Sequence, residues 1–77
     1  MRRARIETRH ENAVLVAAAV SPDNTDSMRT TVDGDAVVTE IERETTGGLQ
    51  STVDDYVVNL TVAETVAQTA NTHRNQP

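Results

Sequence analysis

Residues 45–70 read TTGGLQSTVDDYVVNLTVAETVAQTA, and the spacing within them decides the fold. Leu49, Val53, Tyr56, Leu60, Ala63, Ala67 and Ala70 recur in steps of four and three, which keeps one stripe of a helix apolar along its length. Val57 and Val66 are expected to widen that stripe into a face. Alanine in the C-terminal half lets another backbone come close. Thr45 or Thr46 caps the start, with Gly47-Gly48 allowing a tight entry. Such a helix packs but carries no evident chemistry, which points to a chain that works by holding something.

Upstream lies a hairpin. Met28, Thr30 and Val32 alternate before Asp33-Gly34-Asp35, and Val37, Thr39 and Ile41 alternate after it. Asp-Gly between alternating runs is a strong turn signal because both residues tolerate positive φ. Pairing Val32 with Asp35 or with Val37 leaves the same residues on the buried face. Further back, Ala4, Ile6 and Thr8 alternate with Arg3, Arg5, Glu7 and Arg9, the pattern of a half-buried strand. Glu11 to Val20 is alanine-rich and reads as a short helix with Leu15, Ala18 and Ala19 inward, ended by Ser21-Pro22. Residues 22–27, PDNTDS, form a polar loop.

The order β-α-β-β-α constrains the topology. A helix returns the chain between the first two strands, so they run the same way and the third runs opposite. A fully antiparallel sheet then has the order 2-3-1, with both helices on one face: an α+β fold. Val38, Glu40, Glu42 and Glu44 point outward beside Arg3, Arg5, Glu7 and Arg9, and opposite charges on neighbouring strands favour this order by roughly 0.2–1 kcal/mol per pair. Residues 1–70 are expected to form the single domain. Residues 71–77, NTHRNQP, have no apolar anchor and are expected to be a disordered tail.

At 77 residues without cysteine, neither disulfides nor thiolate metal sites can staple the fold. The core candidates are nearly all Val, Ala, Leu and Ile, with one Tyr and no Phe or Trp. Small side chains bury little area each, at about 25 cal/mol per Å², so a homodimer is the physical expectation. Twelve acidic residues stand against seven basic ones, all arginine. An acidic, lysine-free, threonine-rich chain reads as halophilic, from a cytoplasm whose salt screens surface repulsion; the plain alternative is an ordinary acidic domain. Residues 1–10 carry a net +3 and the remainder −8. That basic arm can meet RNA phosphates or serve as a solvated strand face, and the strand pairing above favours the second. Arg2-Arg3 before AVLVAAAV mimics a twin-arginine leader, but the apolar run is eight residues and Glu7 and Glu11 precede it, so a cytoplasmic chain is expected. Nothing approaches the ~20 apolar residues of a membrane span.

Chemical constellations are nearly absent. His10 and His73 lack companion ligands at helical or hairpin spacing, so no metal is expected. Asp54-Asp55 and the row Glu40, Glu42, Glu44 read as solvated faces rather than a cation site. No Ser/His/Asp grouping has local support, and Gly47-Gly48 reads as a cap rather than an anion cradle. No catalytic or cofactor-binding residue is assigned, and an enzyme is not expected.

Residues 21–60, SPDNTDSMRTTVDGDAVVTEIERETTGGLQSTVDDYVVNL, resemble the polarised-growth chromatin-associated controller family, the small dimer-forming subunit of the KEOPS complex. The likeness covers about residues 4–66. It rests on the element order, on Ser21-Pro22-Asp23 in the loop, on Arg29 opening the hairpin, and on Leu49, Thr52 and Tyr56 in the long helix. Gln50 stands where that family carries Arg, and Asp54-Asp55 where it carries Asn-Ser.

The resemblance implies a non-catalytic scaffold subunit of a complex that threonylcarbamoylates the adenosine next to the anticodon in transfer RNA. In that family the chemistry belongs to a sugar-kinase-like transferase, against which the small subunit docks its helices. Leu49, Val53, Tyr56, Val57, Leu60 and Ala63 are the expected partner interface, with Tyr56 central because tyrosine is enriched among residues that dominate interfaces. The alternative for Tyr56 is packing on the chain's own sheet. Competing readings of function are a small ligand-sensing α+β module and an enzyme subunit with borrowed catalytic residues.

Overall fold

The computed structural model describes residues 1–74, with side chains through Thr69. Its elements are β1 (Arg2–Arg9), α1 (Ala13–Val20), a single 3-10 turn (Ser21–Asp23), β2 (Met28–Asp33), β3 (Ala36–Arg43) and α2 (Thr46–Arg74). The sheet is antiparallel with order β1-β3-β2, the same arrangement as the expected 2-3-1. Its register sets Ile6 opposite Thr39 on one side and Thr30 opposite Thr39 on the other. In β3 the four consecutive residues Ala36, Val37, Val38 and Thr39 are all buried, Val38 lying on the open face between Glu7 of β1 and Thr31 of β2. Val38 is thus buried although it points away from the helices.

The hairpin closes on Asp33 paired with Ala36, leaving Gly34-Asp35 as a two-residue loop. Gly34 has φ +61°, and among the described residues no non-glycine residue has positive φ. Glycine at the first central position is the signature of a II′ turn, whose twist matches that of the strands. Of the cross-strand charge pairs expected between β1 and β3, Arg3 to Glu42 forms at 2.9 Å. Arg5 lies opposite Glu40 but pairs along its own strand with Glu7 at 3.1 Å. These pairs are solvent-exposed and contribute at most about 1 kcal/mol each.

Both helices begin with side-chain caps. Asn12 Oδ1 accepts from the Leu15 N–H at 3.2 Å, and Thr45 Oγ1 accepts from the Gly48 N–H at 3.0 Å. A Cβ on Gly48 would sit 3.0 Å from that Thr45 hydroxyl and 3.4 Å from Arg43 Nη2, so a side chain there would push on the cap and on the Arg43 guanidinium. The inner face of α1 is Ala13, Val16, Ala17 and Val20, not the expected Leu15, Ala18 and Ala19. AVLVAAAV is apolar on every side, so its pattern carries no phase. Rotation is set by the Asn12 cap at one end and by Ser21 Oγ donating to the Ala17 carbonyl at 2.7 Å at the other.

The core unites Val16, Val20, Val37, Ile41, Tyr56 and Leu60 with Ala13, Ala17, Ala63 and Ala67. The alanines on both helices let their backbones approach, as the composition of residues 45–70 suggests. Val32, on the same sheet face, is largely exposed because it lies on an edge strand beside the turn. α2 continues to Arg74, four residues into the segment expected as a tail. Residues 75–77 lie outside the described residues, as do the side chains of Ala70 and His73. Among the described residues no helix is long and apolar enough to cross a membrane.

The turn supplies a direct test of this architecture. Gly34→Ala should lower stability by ~1–2 kcal/mol through left-handed strain, not collision, since nothing lies within 4 Å of the added Cβ. Urea unfolding should show a lower midpoint at an unchanged slope.

Candidate functional site

The six residues expected at a partner interface divide when placed on the structure. Tyr56, Leu60 and Ala63 are buried in the chain's own core, and Leu49 and Val53 pack against it half-buried. Only Val57 is open to solvent, at 46% exposure. Tyr56, at 2% exposure, is therefore a core residue and not the centre of a docking strip. The helical period identified the buried face correctly, but a period cannot say what buries it. The three-stranded sheet is too narrow to cover more than that stripe, so Val57 and Val66 do not widen the inner face.

The Tyr56 hydroxyl explains its placement. Thr39 Oγ1 donates to it at 2.6 Å, Thr30 Oγ1 lies 2.8 Å from Thr39 Oγ1, and Asn24 Nδ2 donates to Thr30 Oγ1 at 2.7 Å. A chain of polar groups thus runs from the loop, across two strands, to α2. Burial raises the Tyr56 phenol above its ordinary value of 10.0, and the Thr39 hydrogen bond pulls the other way.

The surface that sequence reasoning missed is the outer side of α2. Val58, Val62 and Val66 are 62%, 58% and 56% exposed and recur every four residues, so they form one line opposite the core. Thr61, Thr65 and Thr69 run beside them, each donating its hydroxyl to the carbonyl four residues back at 2.9–3.0 Å. With their hydroxyls used internally, these threonines add methyl surface to the valine line. Between Asp55 and Arg74 the only Asp, Glu, Lys or Arg is Glu64, and it turns inward. That uncharged interval, in a chain that is 25% charged, was the available signal.

Glu64 meets His10 at the end of β1. The His10 imidazole Nδ1 contacts Glu64 Oε2, its Nε2 lies 2.6 Å from Thr8 Oγ1, and Gln68 Nε2 donates to Glu64 Oε1 at 3.0 Å. The His10 side chain is only 6% exposed. This hydroxyl, imidazole and carboxylate line fastens the distal part of α2 to the sheet. The two residues are 54 positions apart, so no local pattern announces the pair. Among the described residues no cluster of three or more His, Cys, Asp or Glu is arranged to hold a metal ion.

The open face of the sheet carries Arg3, Arg5, Arg9 and Arg29 together with Glu7, Asp33, Glu40 and Glu42. Arg9 also reaches Asp35 at 2.5 Å. Four arginines thus share their face with four acids, which removes the net positive surface that phosphate binding needs.

Two linked outcomes test the role of Tyr56. Tyr56→Phe should cost about 1–3 kcal/mol by leaving the buried Thr39 donor without its acceptor, and Tyr56→Ala about 3–5 kcal/mol, both read by chemical unfolding. The folded phenol has the higher pKa, so its contribution is complete below the unfolded value near 10.0 and is lost as pH rises through the folded value. Alkaline titration should show phenolate absorbance appearing later in the native chain than in urea.

No protein-family model and no curated protein matches this chain, so its function is argued from the surfaces described above.

Proposed function

We propose that the chain is a non-catalytic, dimerising scaffold subunit of a KEOPS-type complex, supporting threonylcarbamoylation of the adenosine next to the anticodon in transfer RNA. The observation that carries this reading is the exposed, uncharged line Val58, Val62 and Val66 on a helix that outruns its sheet. A 29-residue helix is ~43 Å long, whereas eight-residue strands span ~27 Å. Ala67 is the last buried residue among the described side chains, and α2 continues beyond it to Arg74. Isolated exposed valines need no explanation, but a continuous line of them on a long helix suits a partner helix. The partner is the sugar-kinase-like transferase, and transfer RNA is met through the complex. The setting is cytoplasmic.

A second surface suits self-association. β1 is an edge strand of eight residues, and antiparallel pairing with a second copy about Ile6 sets Arg5 opposite the second copy's Glu7 and Ala4 opposite its Thr8. Arg3 then falls opposite Arg9, each already held by an acid, Glu42 and Asp35. An unpaired edge of this length is a template for a further strand.

The two surfaces are tested separately. Val58→Glu with Val62→Glu should leave the fold intact, because both sites face solvent, and should abolish co-elution with the transferase; unchanged co-elution overturns the docking face. Light scattering of the wild-type chain at high salt should give a dimer, and Arg5→Glu, which sets like charges opposite, should shift it toward monomer. A wild-type monomer that persists at all concentrations contradicts the edge pairing.

A further inference from the structure

A cavity of about 250 Å³ lies between the segment after α1, the start of β2 and the first half of α2. It is smaller than the roughly 300–1,000 Å³ of drug-sized pockets, so only a small ligand fits. Its polar lining is unusual in what is left unpaired. Tyr56 accepts from Thr39, and among the described residues its own O–H finds no acceptor. Asn24 spends its Nδ2 on Thr30 while its Oδ1 is buried without a partner. Exchanging the two amide atoms would orphan the nitrogen instead, so the deficit does not depend on the orientation assigned.

Charges around the same cavity are also uncompensated. Arg43 donates from Nη1 to Thr52 Oγ1 at 2.8 Å and has no carboxylate partner among the described residues. Asp23 and Asp55 likewise make no ion pair there. Elsewhere on the sheet Arg3, Arg5 and Arg9 each hold an acid, while Arg2 and Arg29, which lie away from the cavity lining, make no ion pair among the described residues. Two carboxylates repel a simple anion, and the guanidinium repels a simple cation. A ligand bearing both charges close together satisfies all three groups.

We propose that this cavity binds a small α-amino acid as its zwitterion. The carboxylate is taken by Arg43, the ammonium by Asp23 and Asp55, and a short aliphatic side chain lies toward Val20 and Met28. The Tyr56 phenol and the Asn24 amide form the polar floor, each with hydrogen-bonding capacity to spare. This site is distinct from both the outer line of α2 and the β1 edge, so it stands apart from the scaffold reading. It would add an effector to the chain without adding catalysis.

The test is titration of the full chain with glycine, L-alanine and L-serine, followed by calorimetry and by the ring resonances of Tyr56. That ring is the chain's only phenol, and its paired ring resonances are distinct in pattern from those of His10 and His73, so its signals report the cavity. Saturable binding of at least one amino acid is expected, with acetate and methylammonium failing to compete. Asp55→Asn and Arg43→Gln should each weaken it ~10-fold or more by removing a charge-assisted contact. Both positions are exposed, and circular dichroism verifies that each variant folds. The proposal is overturned by no saturable binding, by acetate or methylammonium binding as well as alanine, or by Asp55→Asn binding like the wild type.

Discussion

Where Thr39 meets Tyr56, the middle strand of the sheet is joined to the long helix by a buried hydrogen bond. Apolar packing alone tolerates sliding, because one valine contact resembles the next. A hydroxyl pair in a low-dielectric core does not, since moving α2 by one residue would strand a donor and cost more than the bond is worth. The link extends through Thr30 to Asn24, so the loop before β2 is fixed by the same chain. The His10 contact with Glu64 repeats the device further along α2. Between them the two polar anchors set where the helix lies on a core built mainly of interchangeable valine and alanine.

That economy shapes what remains for function. Both helices cover one face of the sheet, and every large side chain of the helix interior is used in doing so. The other face is a balanced mixture of arginines and acids, suited to solvent. Partner binding is left with the outer side of α2 and the edge of β1, neither of which contributes to the core. A variant that disables either surface can therefore leave stability unchanged, whereas changes at Tyr56 lower it.

Much of this was legible in the residues. Asp33-Gly34-Asp35 between alternating runs located the hairpin, and the run Leu49, Val53, Tyr56, Leu60, Ala63, Ala67 identified the buried side of α2. Connectivity gave the strand order, because a helix between the first two strands leaves the third in the middle. The phase of α1 was not legible, since AVLVAAAV has no polar side to mark. Nor was the owner of Tyr56: a residue buried by its own sheet and one buried by a partner leave the same periodic trace. The His10 and Glu64 contact depends on the whole fold bringing chain ends together, which no window of sequence contains. Of the outer valines, Val66 was assigned with Val57 to the inner face, because both flank the stripe on a helical projection while the sheet is too narrow to reach them; Val58 and Val62 were given no role.

The makeup of the outer side of α2 has one more consequence. Valine and threonine are mediocre helix formers, each roughly 0.5 kcal/mol poorer than alanine, and six of them line the solvent side between Val58 and Thr69. Threonine hydroxyls bonded to carbonyls four residues back weaken the helix further. Such a rod has little reason to exist in isolation; its helicity is lent by the sheet through the inner stripe. Far-ultraviolet ellipticity in this chain is accordingly a measure of tertiary packing. Strand pairing and helix content should vanish together, in one transition, with no free helix surviving the loss of its platform.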